Sequence, residues 1–393
     1  MTNHRAVDVL IVGGGQAGSD VAFALRESNY PGSILIVGAE PHLPYQRPPL
    51  SKTFLSSEAA PDSLVLRGTG AYERGNIGVE LGRAVANIDL GARCAQLDDE
   101  QTITFENVVL AQGGTPRQLT VPPDVQSRTH YLRSAADGER LRAELDAAQR
   151  VVVIGGGFIG LELAASARKR SKTVTVIEMT DRLLGRVVHP VISNAYADIH
   201  RRRGVDVILS ANIASMTSVA SGSVLITLGD GRELEADLIV VGIGLDPDTS
   251  LAAALGLEIE RGVVCNEDGR TSHPIVFAAG DCSSVRDAHG RISRIESVHN
   301  ATEQAKSVAA TIAGAARRPR QTPWFWSDQY DVKLQIVGAT GAEVEAEIDG
   351  DIDAESFVIR HCQNGELVGL TAVNRPRDFM AARRQLDAQK TLA

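Results

Sequence analysis

One glycine-rich pattern occurs twice in this chain and constrains its fold more than any other feature. Residues 13–18 read Gly-Gly-Gly-Gln-Ala-Gly, and residues 155–160 read Gly-Gly-Gly-Phe-Ile-Gly. Each copy follows a short run rich in β-branched residues, 7–12 or 151–154, and precedes apolar residues at helical spacing. A second short apolar run comes after each helical stretch. Because this is the order of a βαβ unit that binds a dinucleotide at its helix N-terminus, the sequence predicts two such units.

Each glycine of the pattern has its own mechanical reason. The first makes the tight turn, the second lets a pyrophosphate approach the backbone, and the third lets the helix pack on the strand. Glycine-rich turns are common, so the evidence lies in the context: both copies have the expected strand before them and the expected helix after them. The predicted dinucleotide-binding residues are Gly13, Gly15 and Gly18 in the first loop and Gly155, Gly157, Phe158, Ile159 and Gly160 in the second.

An acidic residue follows each unit at about the distance where a carboxylate meets the adenosine ribose. Glu178 stands directly after the run 174–177, and this position favours NAD over NADP. The next two positions hold no arginine that could bind a 2′-phosphate, although Arg182 is near in sequence. In the first unit the acid is Glu40, which comes later after its strand, so a ribose ligand and a solvated glutamate both remain open for it.

Length, charge and hydropathy bound the class of protein. A chain of 393 residues predicts two or three domains. Its 40 Lys and Arg against 49 Asp and Glu give a net charge of −9, which argues against a nucleic acid as partner. No apolar run reaches the roughly 18 residues of a membrane helix, and the N-terminus lacks a secretory signal, so we expect a cytoplasmic protein that no membrane holds.

The cysteines indicate neither a scaffold nor a metal. Cys94, Cys265, Cys282 and Cys362 form no CxxC or CxxxxC pair. A disulfide framework, a zinc site and an iron–sulfur site therefore have no support in the sequence, and we expect no bound metal.

The rest of the chain adds two strands and a change of pattern. Buried strands are predicted at 236–241, leading to Gly244, and at 275–279, ending before Asp281. After Arg320 the pattern changes: residues 323–330 hold both tryptophans, and short alternating stretches follow at 333–337, 356–360 and 367–373. These stretches predict a small antiparallel sheet and therefore a third domain.

Seven segments of the sequence carry a family resemblance. They are RPPLSK (47–52), YLRS (131–134), VVVIGGGFIGLE (151–162), AAGDC (278–282), RIESVHNATEQA (294–305), PWFWSDQY (323–330) and AVNRP (372–376). They are spread over almost the whole chain, and the last three are far more specific than a glycine loop. On these residues the chain resembles the FAD-dependent, NADH-coupled ferredoxin reductases of oxygenase systems, particularly the putidaredoxin, palustrisredoxin and rubredoxin reductases.

The resemblance implies a fold and a division into domains. The fold would be α/β, with two Rossmann-like dinucleotide-binding domains of the glutathione-reductase type and a small α+β C-terminal domain. The FAD-binding domain would be discontinuous, at 1–112 and 243–320. The NAD-binding domain would lie at 113–242, and a C-terminal interface domain at 321–393.

The resemblance also implies the residues of the cofactor sites. FAD, tightly bound, would contact the first glycine loop together with Ala17, Glu40, Arg47, Lys52, Val85, Arg133, Asp281, Val298 and Trp326. NADH would contact the second loop together with Glu162, Glu178 and Gly244. Without the resemblance, Lys52 would be interpreted as a surface lysine and Asp281 as a helix cap.

Two of these residues would be catalytic. The resemblance places Lys52 beside flavin N5 and Glu162 near the nicotinamide. We expect the two side chains to pair, because a desolvated lysine and glutamate rarely lack a partner. Val298 would stand at the start of a predicted helix, 300–310, whose positive end stabilises charge on the reduced flavin.

The electron acceptor follows from the missing thiols. Disulfide reductases of this fold pass electrons to a paired CxxxxC, which this chain lacks, so electrons would leave the flavin directly for a one-electron acceptor. The implied partner is a [2Fe-2S] ferredoxin that feeds a cytochrome P450 or a ring-hydroxylating dioxygenase. It would dock near Trp324 and Trp326, on a basic face that matches its acidic surface. Candidates for that face are Arg317, Arg318, Arg320, Arg375, Arg377, Arg383 and Arg384, although core aromatics and solvated arginines explain the same residues.

A second function of another class remains open at this point. An apoptosis-inducing-factor-like flavoprotein would use the same two cofactors, but its NADH-reduced state would regulate partner binding. The acidic net charge favours the reductase.

Overall fold

The computed structural model describes residues 4–56, 59–316, 319–341 and 344–392. The described chain falls into two compact units. The first takes its residues from Met1–Gln46, Ala60–Thr115 and Asp246–Gln321, and the second from Arg47–Ala59, Pro116–Leu245 and Thr322–Ala393. The division into three domains, at the boundaries given above, stays a prediction.

The first unit is built on a mainly parallel sheet. Its strand His4–Val12 pairs in parallel with Ile34–Gly38 on one side and with Thr102–Leu110 on the other. The spatial order is Ile77–Leu81, Ile34–Gly38, His4–Val12, Thr102–Leu110, Cys94–Leu97 and Val85–Asp89, with Val276–Ala278 also beside Thr102–Leu110. The first predicted strand and the predicted strand at 275–279 are therefore present.

Alternate residues of the central strand of this unit enter different cores. Val9 and Ile11 pack with the helices Gln16–Glu27 and Val298–Ala313. Leu10 and Val12 belong to a second hydrophobic core on the opposite face of the sheet. This alternation is the period of a strand buried on both faces, and it explains why the run is apolar throughout. The remaining elements of the unit are the helices Pro61–Leu64, Thr69–Arg74 and Ser250–Ala254 and the strands Val263–Asn266, Ser283–Arg286 and Ile292–Ser293.

The second unit repeats the same architecture around the second glycine loop. Its parallel sheet has the order Val205–Ile208, Thr173–Ile177, Arg150–Ile154, Leu238–Val241 and Thr129–His130. Its helices are Pro48–Ser51, Thr53–Ser56, Gln126–Arg128, Ala135–Ala147, Phe158–Lys169 and Pro190–Arg202. An antiparallel sheet is formed by Ile213–Ser218, Val224–Leu228 and Glu233–Ala236.

The buried strand predicted at 236–241 is present, but it begins two residues later than predicted. Strand Glu233–Ala236 ends before Asp237, and strand Leu238–Val241 begins after it. The Asp237 carboxylate accepts the backbone N–H groups of Gln149 and Arg150 at 3.0 and 2.8 Å. Arg150 also lowers the pKa of Asp237 to about 2 through a side-chain hydrogen bond. This anchoring turns the chain from one sheet into the other.

The C-terminal part of the second unit is the predicted antiparallel sheet. Its order is Trp324–Gln329, Val332–Gly338, Glu366–Val373, Ser356–Gln363 and Glu345–Asp351. The helix Pro376–Leu392 covers it through Phe379, Ala382 and Leu386. Short strands at Gly114–Pro116 and Leu245–Pro247 lie where the chain passes between units. In the described part of the chain, no helix has the length and apolar character needed to cross a membrane.

Candidate functional site

The first glycine loop joins strand His4–Val12 to helix Gln16–Glu27 and is shaped for close packing at both ends. A Cβ on Gly13, whose φ is +118°, would lie 2.3 Å from the Ala111 carbonyl oxygen. A Cβ on Gly18 would lie 2.0 Å from the Gly13 carbonyl oxygen. At Gly15, by contrast, a Cβ would meet nothing within 4 Å. The outer glycines are therefore required by the protein's own packing, while Gly15 leaves open space at the helix N-terminus.

The second glycine loop has the same construction. A Cβ on Gly155 would lie 2.4 Å from the Gly242 carbonyl oxygen, and one on Gly160 would lie 2.0 Å from the Gly155 carbonyl oxygen. At Gly157 the nearest atom would be 3.9 Å away. Neither helix has a side-chain cap on its N-terminal N–H groups, since Gly15 and Gly157 occupy the N-cap positions. Both loops therefore fit a pyrophosphate at the helix N-terminus.

Glu178 is hydrogen-bonded to the second glycine loop. Its Oε2 accepts the Gly156 N–H at 2.7 Å, and its Oε1 accepts the N–H and the hydroxyl of Thr180 at 2.8 and 2.7 Å. Arg182, the neighbouring cation, donates to the carbonyl oxygens of Gly185 and Val188 at 2.7 and 3.3 Å. The carboxylate thus lies beside the glycine loop, and the guanidinium nearby is bound to backbone.

The other residues predicted at the NADH site surround this loop in different ways. Phe158 opens the helix Phe158–Lys169, and its ring lies 4.6 Å from that of Phe325. Ile159 is 45% exposed, which is unusual for isoleucine and leaves an apolar surface on the loop. Gly244 has a φ of +118° and follows strand Leu238–Val241.

Three elements of the first unit meet around its glycine loop. Gly280, next to Asp281, has a φ of +83°, and a Cβ there would lie 2.9 Å from Ala17 Cβ. The Gly280 N–H donates to Gln304 Oε1 at 2.6 Å, and Thr302 Oγ1 donates to Asp20 Oδ2 at 2.7 Å. These bonds bring helix Val298–Ala313, the Asp281 turn and the first loop together.

Helix Val298–Ala313 begins two residues earlier than predicted. Ser297 is its N-cap, and the Ser297 Oγ accepts the Asn300 N–H at 3.1 Å. Because the cap fixes the helix start, Val298 lies at its first position and is half-buried. Strand Ser283–Arg286, and not a helix, follows Asp281, so the alternative interpretation of Asp281 as a helix cap was wrong.

Two other residues predicted to bind FAD, Glu40 and Val85, belong to other segments of the first unit. Glu40 Oε2 accepts the Tyr45 hydroxyl at 2.5 Å. Val85 is half-buried at the start of strand Val85–Asp89. Their contact with FAD stays a prediction.

The remaining residues predicted to bind FAD belong to the second unit. Arg47 Nη1 donates to the Arg133 carbonyl oxygen at 2.6 Å, so these two predicted residues are neighbours. The same segment of the chain carries Lys52, and Trp326 lies in strand Trp324–Gln329. The predicted FAD residues are therefore divided between the two units.

The predicted pairing of Lys52 and Glu162 is present. Lys52 Nζ lies 2.7 Å from Glu162 Oε2, and the side chains are 15% and 1% exposed. Ser51 Oγ donates to the same oxygen at 2.5 Å, and Ser327 Oγ donates to Glu162 Oε1 at 2.6 Å. Three donors on two buried oxygens suit an ionised carboxylate, which can only accept hydrogen bonds.

The predicted docking surface contains an ordered aromatic group. The rings of Trp324 and Trp326 are 5.4 Å apart, and Phe379 lies 5.8 Å from Trp324. The guanidinium of Arg383 lies over the Trp324 ring at 5.1 Å.

The arginines proposed for a basic face differ in their surroundings. Arg375 binds Asp378 at 2.8 Å, and Arg320 donates to the Glu267 carbonyl oxygen at 2.8 Å. Arg377 and Arg384 are exposed. Arg317 and Arg318 lie outside the described residues.

The cysteines form no pair. All four are free. Cys265 and Cys282 are buried, and burial raises the pKa of their thiols to about 12 and about 11. These two thiols are therefore inert at neutral pH.

Sequence reasoning missed several residues that organise these sites. Thr302 and Gln304 stand within the RIESVHNATEQA segment, and Ser327 within PWFWSDQY, so the family segments contained them without giving them a role. Asp20 carried no signal, because a helical aspartate after a glycine loop is indistinguishable from a solvated one until its partners are known.

Comparisons with known proteins identify the family of this chain. A family model described as pyridine nucleotide-disulphide oxidoreductase matches residues 7–305, and one described as reductase C-terminal matches residues 324–393. Rhodocoxin reductase from Rhodococcus erythropolis is 38% identical and covers 98% of this chain and 91% of its own length.

Solved structures are similar over the same span. The covalent putidaredoxin reductase–putidaredoxin complex matches with a TM-score of 0.92 and 38% identity, over 97% of this chain and 93% of that one. The ferredoxin reductase for the CYP199A2 system from Rhodopseudomonas palustris matches with a TM-score of 0.90 and 39% identity, over 96% and 93% of the two chains.

Proposed function

Because this chain belongs to the pyridine nucleotide-disulphide oxidoreductase family, we propose that it is an NADH-dependent, FAD-containing ferredoxin reductase that serves an oxygenase system. One observation carries the proposal: two dinucleotide cradles occur in a chain whose four cysteines are all unpaired. Within a family named for disulphide chemistry, this leaves direct transfer from the flavin. Its relatives include reductases named for rhodocoxin and putidaredoxin, which supports a [2Fe-2S] ferredoxin as acceptor.

Each cradle has its own nucleotide in this proposal. The open space at Gly15 and the uncapped start of helix Gln16–Glu27 receive the FAD pyrophosphate, and Gly157 with helix Phe158–Lys169 receives that of NADH. FAD, when bound, accepts a hydride from NADH and releases the two electrons singly. The chain's own task is to hold both dinucleotides and to keep water from the reacting groups.

Glu178 supports NADH as the reductant. Its oxygens lie beside the glycine loop, where they would accept ribose hydroxyls and repel a 2′-phosphate. Arg182 is bonded to two carbonyl oxygens, which leaves it poorly placed to attract that phosphate.

Lys52 and Glu162 are the proposed catalytic residues. The Lys52 ammonium donates one hydrogen bond to Glu162 Oε2 at 2.7 Å and another to the Pro48 carbonyl oxygen at 3.1 Å. A partly buried ammonium fixed in this way provides a localised positive charge for a neighbouring flavin, and its carboxylate partner keeps that charge in place.

The ferredoxin is proposed to dock near Trp324 and Trp326. Arg383 and Phe379 hold the Trp324 ring, and the exposed Arg377 and Arg384 add positive charge to the helix that covers the same sheet. Local basic residues would steer an acidic partner despite the net charge of −9. We also place the reaction in the cytoplasm, where free cysteines stay reduced.

The experiment is an anaerobic NADH titration of the purified yellow protein, followed by addition of a [2Fe-2S] ferredoxin. We expect rapid bleaching of the flavin and rapid reoxidation by ferredoxin, with oxygen a poor acceptor. A colourless protein would contradict the FAD assignment. A long-lived reduced state that changes its oligomeric state and ignores ferredoxin would favour the partner-binding alternative.

A further inference from the structure

A chain of buried polar side chains leads away from Glu162, and the proposed function gives it no role. Ser327 Oγ lies 2.6 Å from Glu162 Oε1, and Gln329 Nε2 lies 3.2 Å from Ser327 Oγ. His200 Nε2 lies 2.8 Å from Gln329 Oε1, and the Tyr330 hydroxyl lies 3.1 Å from His200 Nδ1. Ser327, Gln329 and His200 are at most 1% exposed. A connected set of this kind within a core is costly unless every group is satisfied.

Counting donors and acceptors fixes the direction of every link. A carboxylate only accepts, so the single hydroxyl proton of Ser327 goes to Glu162, and Ser327 must accept from its other neighbour. That neighbour is therefore the amide nitrogen of Gln329, and the amide oxygen of Gln329 faces His200. An oxygen cannot donate, so His200 carries a proton on Nε2, and its Nδ1 accepts from Tyr330.

We propose that Ser327, Gln329 and His200 are positioning residues, which form one oriented hydrogen-bond chain that holds the Glu162 carboxylate against Lys52 and requires the His200 proton on Nε2. The assignment of the His200 proton to Nε2 follows from the hydrogen-bond geometry alone. The effect on catalysis rests on the proposed function, because it assumes that Lys52 and Glu162 lie where hydride is transferred.

The surroundings of His200 keep it neutral. Burial lowers its pKa to about 4 and outweighs the hydrogen bond to Gln329, which acts in the opposite direction, while the positive charge of Arg203 adds to the lowering. The Tyr330 ring lies 5.1 Å from the imidazole, and Arg203 lies over that ring at 4.8 Å, bonded to Glu355 and Asp331. A neutral imidazole with one proton is what the oriented chain requires.

The hydrogen-bond chain acts on Glu162 through Ser327, which donates to Glu162 Oε1. Without that donor, a buried carboxylate oxygen loses one of its hydrogen bonds. The carboxylate would then be held at Oε2, by Ser51 and Lys52, and would rotate about that oxygen. Such rotation loosens the fixed ion pair that the proposed hydride transfer uses.

The first measurement is independent of activity. Nitrogen NMR of the 15N-histidine-labelled holoprotein, with the His200 signal identified by its loss in His200→Gln, reports which ring nitrogen holds the proton. We expect a protonated Nε2 and an unprotonated Nδ1 at pH 7. A proton on Nδ1, or on both nitrogens, would overturn the proposal.

The second measurement compares two variants at one position. Ser327→Ala removes the donor, and Ser327→Thr keeps a hydroxyl there. We expect the rate constant for flavin reduction at saturating NADH to fall about tenfold in Ser327→Ala and to stay within about threefold in Ser327→Thr, with the NADH dissociation constant nearly unchanged in both. Equal rates in wild type and Ser327→Ala, or equally slow variants, would overturn the proposal.

Two further outcomes keep the proposals separate. If Ser327→Ala fails to retain FAD, Gln329→Leu tests the next link, where slower flavin reduction than in wild type is expected and an unchanged rate would contradict the chain. If wild type itself is not bleached by NADH, the proposed function fails, whereas the tautomer of His200 still decides whether the oriented chain exists.

Discussion

The two glycine loops share one backbone solution and differ in the acid beyond them. In both, the first glycine N–H donates to the end of the next strand: Gly13 to the Val37 carbonyl oxygen and Gly155 to that of Ile177, each at 2.8 Å. By this register, Gly38 stands in the first unit where Glu178 stands in the second. The backbone of the glycine loop is thus duplicated, whereas the acidic residue directly after the strand is not.

The difference in the acidic residue matches the different tasks proposed for the two sites, NADH exchange in the second unit and FAD retention in the first. In the second unit, Glu178 is bonded to the Gly156 N–H, so the loop and the acid are joined directly, and in the proposed function this pair would select NADH, the nucleotide that is exchanged. In the first unit, Glu40 is bonded to Tyr45 and follows an exposed Ala39. A tightly bound cofactor with contacts along its whole length needs less selection at one end.

Filling the open glycine of each loop should have the largest effect and should separate the two sites. Gly15 and Gly157 have extended backbones, with φ of −95° and −81°, which any residue adopts, so only space requires glycine there. We expect Gly15→Val to purify without FAD. We expect Gly157→Val to stay yellow and to bind NADH about 100-fold more weakly, a loss of about 3 kcal/mol.

Flavin content per chain and the NADH dissociation constant measure these outcomes, with circular dichroism as the check on folding. A yellow Gly15→Val with normal NADH reduction would show that the first loop does not hold the pyrophosphate.

Acid should destabilise the second unit more than the first. His200 and His361 lie in the second unit, and burial lowers the pKa of each to about 4. Between pH 6.5 and pH 4 these histidines bind protons in the unfolded chain but stay neutral in the folded protein, so the free energy of unfolding falls as the pH drops toward 4. For His200 the loss is about 2 kcal/mol at pH 5.

Tryptophan fluorescence reports on that unit, because Trp324 and Trp326 are the two tryptophans of the chain. Urea midpoints at pH 7 and pH 5 give the measurement, and His361→Gln, which removes one of the two rings with a pKa of about 4, should reduce the shift. Equal midpoints at both pH values in wild type would contradict the lowered pKa values.

The coenzyme preference should follow Glu178. Replacing Glu178 with Ala and Met179 with Arg removes a carboxylate and adds a cation at a position that is 76% exposed. We expect the ratio of kcat/KM for NADPH over NADH to rise by about tenfold or more, which corresponds to about 1.4 kcal/mol. An unchanged ratio would mean that the ribose binds elsewhere, and Glu178→Gln controls for charge alone.

The elements with strong local signals were predictable from sequence. The two βαβ units and the C-terminal sheet have periodic apolar residues and turn residues, which depend on neighbours in the chain. The break at Asp237 was not, because it depends on the N–H groups of Gln149 and Arg150, far away in sequence. A strand end that is fixed by residues far away in sequence is not visible in the hydrophobic pattern of the strand itself.

The same distinction applies to the candidate site. Lys52 and Glu162 could be paired in advance, since the family segments named both and a buried charge needs a partner. Ser327, Gln329 and His200 could not, because serine and glutamine on a strand have many partners available. Only the three-dimensional arrangement joins a helix residue to two strand residues more than a hundred positions later.

Glu40 offers the smallest effect and the sharpest test of the contrast between the loops. If the first unit relies on its cradle and not on an acid at the strand end, Glu40→Gln, which keeps an acceptor for the Tyr45 hydroxyl, should leave the protein yellow. We expect the FAD dissociation constant, measured by flavin fluorescence on reconstitution of apoprotein, to rise by no more than about threefold, or under about 1 kcal/mol. Tyr45→Phe is the matched control, since it removes the hydroxyl and leaves the carboxylate. A loss of FAD from Glu40→Gln comparable to that from Gly15→Val would make Glu40 a ribose ligand as strong as Glu178 is proposed to be, and the two ribose ends would then differ in position but not in importance.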